Sequence, residues 1–351
     1  MKKIVFAVDK NSFNNPDHAG VNQKVASQLE QMRKGGNEAI LLQYIWKDGE
    51  LQISVTEDTD VLYFRRIESS VKLIKALKKC KDASPNLRIV MEIPTFPFSG
   101  EQNRKSFKQK VNEIIGNFLL KRYIDRIVIC GEKLPMKKFH GIPIIYFSNG
   151  IDFDKIPCNV YKGKSDEIHM VCVSGCMLSH GYDRMIRGID DYYKCNPKRK
   201  VFFHIVGTGE HYCEYENIAK ECGLYEKYVF FYGRKTGSEL DEIYAQSNLA
   251  VAHLAAHRVG LKVMSSLKSR EYAARGIPFV SSTEFDFSND ATNRYICYVE
   301  ANEANIDVDK VIDFFDNVYG EENVSAKMRD TFKDICSWNT TFVDVLDYIN
   351  S

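Results

Sequence analysis

The sequence predicts an α/β protein built from two Rossmann-like, doubly wound domains facing a cleft. Short β-rich runs alternate with helical patterns almost throughout, which indicates βαβ units and mostly parallel sheets. The alternation restarts near the middle, and 351 residues exceed what a single hydrophobic core usually serves.

In order, the first-half strands are read at 3–9 (KIVFAVD), 38–44, 60–66, 87–93, 125–131 and 142–148. Between them lie apolar residues at helical spacing, such as Val21, Val25, Leu29 and Met32. A hinge-like stretch, 148–167, leads to a second series at 168–175, 200–209, 227–233, 248–254 and 277–282. The expected organisation is residues 1–160 as one domain, 161–337 as a second, and 338–351 as a closing helix. Open α/β sheets take their ligands at the carboxyl ends of their strands, so the cleft is the place to look for a site.

Composition narrows the function. Hydrophobic residues make up 44%, charged residues 27%, and the net charge is +1, which argues against a dedicated nucleic-acid binder. The ten cysteines show no paired CxxC pattern, only the single CxxxC of Cys172 and Cys176, so structural zinc is not expected. The opening MKKIVFAVDKN reads as a first strand rather than a signal peptide, and no run approaches the ~20 apolar residues of a membrane helix. Together these features favour a reducing cytoplasm.

Four stretches carry chemistry. FHIVGTGEH (203–211) ends a strand in Gly207 and Gly209, which permit a tight turn before a helix whose amino terminus can face a phosphate. VSGCMLSHGYDRMIRGI (173–189) places His180 and Gly181 at another strand end, where a histidine can donate to a diphosphate. In HRVGLKVMSSLKSREYAARGIP (257–278), Arg258, Lys268 and Arg270 precede the carboxylate of Glu271 at a helix start, and Gly276 and Pro278 end the helix abruptly. Cations and free N–H groups suit a pyrophosphate, and a carboxylate suits ribose hydroxyls. In the first domain, the loop with His18 and Gly20 follows the first strand and would let a second ligand approach.

Basic residues concentrate in 71–82 and 104–126. The apolar residues of the second stretch, Phe107, Val111, Ile114, Ile115, Phe118 and Leu119, are expected to pack inward with the lysines solvated. The alternative is an interfacial patch attracted to anionic lipid.

Together, EIPTFPFSGE (92–101), SNGID (148–152), HGYDRMI (180–186), HIVGTGE (204–210), HRVGLK (257–262) and LKSREYAARGIPFV (267–280) resemble the family 4 glycosyltransferases of GT-B fold, particularly those of bacterial capsule and surface-polysaccharide assembly. The resemblance implies transfer of a sugar from a nucleotide sugar to a glycan or lipid-linked acceptor, with retention of anomeric configuration. It places Glu271 on the donor ribose, His180 and Gly181 by the pyrophosphate, and Gly233 and Arg234 near the base. Gly20 and its neighbours would face the acceptor, and the helix after Trp338 would cross back to the first domain. Two departures stand out. The glutamate expected eight residues before Glu271 is replaced by Val263. The usual Arg and Lys clamp is absent, with Gly175 and Cys176 near one position and His180 at the other, so Arg258 and Lys268 are expected to supply that charge. The four chemistry-bearing stretches above contain no Asp-x-Asp motif, and neither a metal nor a separate cofactor is expected. Two other readings are a nucleotide-sugar-binding scaffold without transferase activity and a sugar-nucleotide epimerase.

Overall fold

The structure is a computed structural model that describes all residues except 14–18, 49, 68–69, 95–106 and 161–165. In chain order, the elements of the first half are β1 (Lys3–Asp9), α1 (Lys10–Phe13), α2 (Ala19–Lys34), β2 (Glu38–Lys47), β3 (Glu50–Gln52), β4 (Val61–Arg65), α3 (Val71–Ala83), β5 (Arg88–Ile93), α4 (Phe107–Leu120), β6 (Arg126–Cys130), β7 (Lys138–Phe139) and β8 (Ile142–Phe147). The second half carries β9 (Glu167–Val173), α5 (Tyr182–Lys194), β10 (Lys200–Val206), α6 (Tyr212–Glu221), β11 (Val229–Phe231), α7 (Ser238–Gln246), β12 (Leu249–Val251), β13 (Val263–Met264), α8 (Leu267–Arg275), β14 (Phe279–Ser281), β15 (Glu284–Phe285), α9 (Asp290–Asn293), β16 (Ile296–Tyr298), α10 (Val308–Val318) and α11 (Val324–Cys336). The last helices are α12 (Trp338–Thr341) and α13 (Val343–Asn350).

The chain divides into two compact units, Met1–Gly150 with Trp338–Ser351, and Ile151–Ser337. The sheet of the first runs β3-β2-β1-β4-β5-β6-β8-β7, parallel except for β3 and β7 at its edges. Its central strands are buried on both faces, which is why β1 reads as an unbroken apolar run, Ile4 to Val8. Helix α3 shows how one face is covered: Ser70 caps it by accepting from the Leu73 N–H, and Leu73, Ile74, Leu77 and Cys80 turn inward. The other face is closed in part by the carboxyl terminus, through Trp338, Phe342, Val345 and Ile349. Trp338 lies so close to Gly150 that a Cβ there would fall 2.5 Å from the indole, so only glycine fits.

In the second unit a six-stranded parallel sheet runs β11-β10-β9-β12-β14-β16, with β13 and β15 as a separate parallel pair. Both large sheets reverse their winding beside the first strand. After β1 and β2 the chain returns to the far side of β1 as β4, and after β9, β10 and β11 it returns to the far side of β9 as β12. Such reversals separate the loops leaving adjacent strands and open a crevice at their carboxyl ends.

Helix α4 departs from expectation. Val111, Ile114, Ile115 and Phe118, spaced as one helical stripe, are exposed rather than packed inward, with Ile114 and Phe118 67% and 68% accessible. Helical periodicity shows that a stripe exists but not which way it faces.

Candidate functional site

The crevice of the second unit is built from the segments that leave β9, β10 and β12, together with the start of α8. Helix α8 begins at an N-cap, Ser266, whose hydroxyl accepts from the Ser269 N–H, and it stops at Gly276 in the left-handed conformation (φ 69°). That geometry carries Lys268 across the reversal. Its ammonium donates to the Ala252 carbonyl just past β12 (2.8 Å) and to the Tyr182 hydroxyl at the start of α5 (3.2 Å). Tyr182 in turn donates to Ser174 Oγ just past β9 (2.9 Å). One Lys268 N–H is left without a partner among the described residues, and no carboxylate there pairs with it.

Burial pushes the Lys268 ammonium down to about 7, although the Cys172 and Cys176 thiols pull the other way. His180 and His253 flank it, their rings 5.0 Å apart. Burial, helped by the nearby Lys268 charge, holds both imidazoles well below the ordinary histidine range, so they are neutral at pH 7. The Met177 N–H donates to His180 Nδ1 (2.9 Å), which places the proton on Nε2 and makes that atom a donor. His253 Nδ1 is buried without a partner among the described residues. Sequence reasoning passed over His253 and Tyr182; the usable signal was a histidine directly after an apolar strand at a winding reversal.

The expected glycines serve the loops themselves. At Gly207 and Gly209, both at positive φ, a Cβ would lie 1.8 Å from the Ser174 carbonyl oxygen and 1.7 Å from that of Gly175. At Gly181 it would lie 2.6 Å from Ala255 Cβ. The close backbone approach read from the sequence is therefore an approach of loop to loop, which brings the crevice walls together. Gly233 has open space around its Cα, and its N–H is taken by Tyr212 OH; Arg234 beside it is exposed.

Two cations sit differently from expectation. Arg258 is not a free cation: Nη1 and Nη2 donate to Asp183 (2.9 and 2.8 Å), and Nε and Nη2 to Glu303. Arg270 is fully buried, bonded to Asp286 (2.6 Å) and the Ser266 carbonyl and stacked on Phe287, so its charge serves the packing of α8. Glu271 is half-buried and accepts from Arg275 Nε and Nη2 (both 3.1 Å), while Arg275 also pairs with Asp241 (2.7 Å). Burial raises the Glu271 carboxyl above its usual range against the opposing effect of Arg275. Val263, eight residues earlier, lies in β13 and offers no second carboxylate. In the first unit Gly20 is exposed at the start of α2, and His18 lies outside the described residues.

No protein-family model matches the chain, and no curated relative does. Solved structures do. The chain is similar to a glycosyltransferase of Rickettsia africae (12% identity, 99% of this chain and 98% of that one, TM-score 0.68) and to sucrose-phosphate synthase of Thermosynechococcus elongatus (10%, 99% and 98%, 0.65). It is also similar to HepE of Anabaena, solved with UDP-glucose (14%, 100% and 98%, 0.59). At these identities the likeness is one of fold, and the fold is GT-B.

Proposed function

We propose that the chain is a retaining, metal-independent glycosyltransferase that moves a sugar from a nucleoside diphosphate sugar to a lipid-linked glycan acceptor in surface or capsular polysaccharide assembly. The observation that carries the reading is Lys268, a cation without a carboxylate partner held at the winding reversal of the second sheet. Burying an ammonium without a counter-ion is costly, and an anionic ligand relieves that cost. In this reading Lys268 and the His180 Nε2–H meet the diphosphate and stabilise the negative charge that grows on it as the glycosidic bond breaks. Glu271 accepts from the ribose, and Gly233 and Arg234 lie toward the base. Retention follows if a donor phosphate oxygen helps to deprotonate the acceptor, so the enzyme needs no nucleophile of its own. Arg258 and Arg270, already bonded to carboxylates, are left out of the catalytic set.

The same reading puts the protein on an anionic membrane face. Among the described residues no helix is long and apolar enough to cross a membrane. The exposed stripe Val111, Ile114, Ile115 and Phe118 ends beside the exposed Lys121 and Arg122, a pattern suited to lying in a lipid interface. Loss of flotation with anionic vesicles in an Ile114→Ser/Phe118→Ser variant is the expected result; unchanged flotation removes the stripe from the account.

The test of function is to supply a panel of nucleotide sugars with a membrane glycolipid fraction and follow nucleoside diphosphate release. Acceptor-dependent release from one donor supports transfer. Tight donor binding without release favours the scaffold reading, and donor conversion without acceptor favours an epimerase.

A further inference from the structure

We propose that the strand ends of the first unit bind an anionic group of the acceptor through Arg65, which Glu92 and Lys24 hold in place; only the word acceptor rests on the transferase reading. Arg65 closes β4, the strand across the winding reversal from β1, where an open α/β sheet takes a ligand. Its side chain is 18% exposed, and its nearest ionic contact is Nε to Glu92 Oε1 at 3.9 Å, too long for a hydrogen bond. The guanidinium therefore donates to none of the described residues.

Glu92, at the end of β5 and fully buried, takes its hydrogen bonds on Oε2 alone, and its Oε1 has only ionic contacts among the described residues. Its Oε2 accepts from Tyr63 OH (2.6 Å) and Gln28 Nε2 (2.8 Å), and its Oε1 meets Lys24 Nζ at 3.0 Å. Lys24 lies over the Phe147 ring, 5% exposed, and brings α2, with the exposed Gly20 in its first turn, against the strand ends. Two cations thus share one carboxylate; Lys24 is buried and close to it, and Arg65 is the more accessible and the more distant of the two. A planar guanidinium in that state fits a phosphate or carboxylate oxygen pair. The anion could come from a sugar phosphate or from the diphosphate of a lipid carrier.

The experiment uses the full chain with Lys268→Ala, which disables the second unit's cation, and measures binding of pyrophosphate, glucose 6-phosphate, farnesyl diphosphate and glucose by calorimetry. Anions should bind and glucose should not, and adding Arg65→Ala should weaken anion binding about 10- to 100-fold, with Arg65→Lys between the two. Tighter binding of farnesyl diphosphate than of pyrophosphate points to the lipid source, and tighter binding of glucose 6-phosphate to the sugar source. Should Arg65→Ala unfold, Arg65→Gln replaces it. Anion binding that is absent, or indifferent to every Arg65 variant, overturns the proposal whether or not the protein transfers sugars.

Discussion

The two winding reversals share a topology and treat charge in opposite ways. At the β9/β12 reversal the carboxylates have gone to other cations: Asp183 and Glu303 to Arg258, Asp286 to Arg270, Glu271 and Asp241 to Arg275. Lys268 is left with a carbonyl and a hydroxyl. At the β1/β4 reversal a single buried carboxylate, Glu92, sits among Lys24, Arg65, Tyr63 and Gln28. Counting nearby cations therefore misleads; what matters is which of them still lacks a counter-ion. The first arrangement suits binding and releasing an anion whose charge changes during reaction. The second buries one carboxylate that fixes Lys24 at 3.0 Å and leaves the more exposed Arg65 only loosely paired at 3.9 Å.

The sharpest way to break this contrast is to remove the two central groups in turn. Glu92→Ala leaves Lys24 buried without its partner and should cost about 3–5 kcal/mol of stability in urea unfolding; a loss below about 1 kcal/mol would show that the network holds nothing in place. Lys268→Ala should lower donor-dependent turnover by about 100-fold, equivalent to about 2.7 kcal/mol, while stability is unchanged or raised, because a poorly solvated ammonium is removed.

The pH dependence sharpens the same point. Lys268 has a folded pKa of about 7, below its unfolded value, so the unfolded chain binds the extra proton and this group's contribution to stability rises with pH between about 7 and 10.5. Activity should run the other way. As the ammonium loses its proton, kcat/KM for the donor should fall about tenfold per pH unit above about 7, and Lys268→Arg should abolish that limb. The titratable groups around it, Cys172, Cys176, Tyr182, His180 and His253, hold one protonation state through that range, the thiols and phenol because burial raises them and the imidazoles because burial lowers them. A flat profile would assign the charge elsewhere.

The smallest effect is expected at Glu303. Its carboxylate is held down to about 2 by hydrogen bonds from Arg258 and His257, but its side chain is 63% exposed. Glu303→Gln should cost under about 1 kcal/mol. The contribution it removes is present above about pH 4.5 and lost as pH falls toward 2.

How much of this was legible follows from the range of each interaction. The long parallel strands were readable because burial on both faces writes an apolar run directly into the sequence, as in β1, β5 and β9. Strands β7, β13 and β15 are two residues long and carry no period to read. Capping grammar placed α8, and with it Lys268 and Glu271. It could not reveal that Arg258 meets Asp183, 75 positions away, or that Arg270 meets Asp286, because ion pairing across a fold leaves no local signature. Arg65 carries no signal for the same reason, hidden inside an ordinary strand, and Glu92 stands out only as the first residue of EIPTFPFSGE, with no sign of its partners Tyr63, Gln28 and Lys24.

The most direct test of the central claim is thermal stability with UDP, GDP, ADP, CDP and TDP, comparing wild type with Lys268→Ala and Glu271→Ala. A ligand at 100 times its dissociation constant stabilises by about 2.7 kcal/mol, a readily measured shift. The account predicts that one diphosphate stabilises wild type and that both variants lose most of the gain. No stabilisation by any of the five, or full stabilisation retained without Lys268, would contradict it.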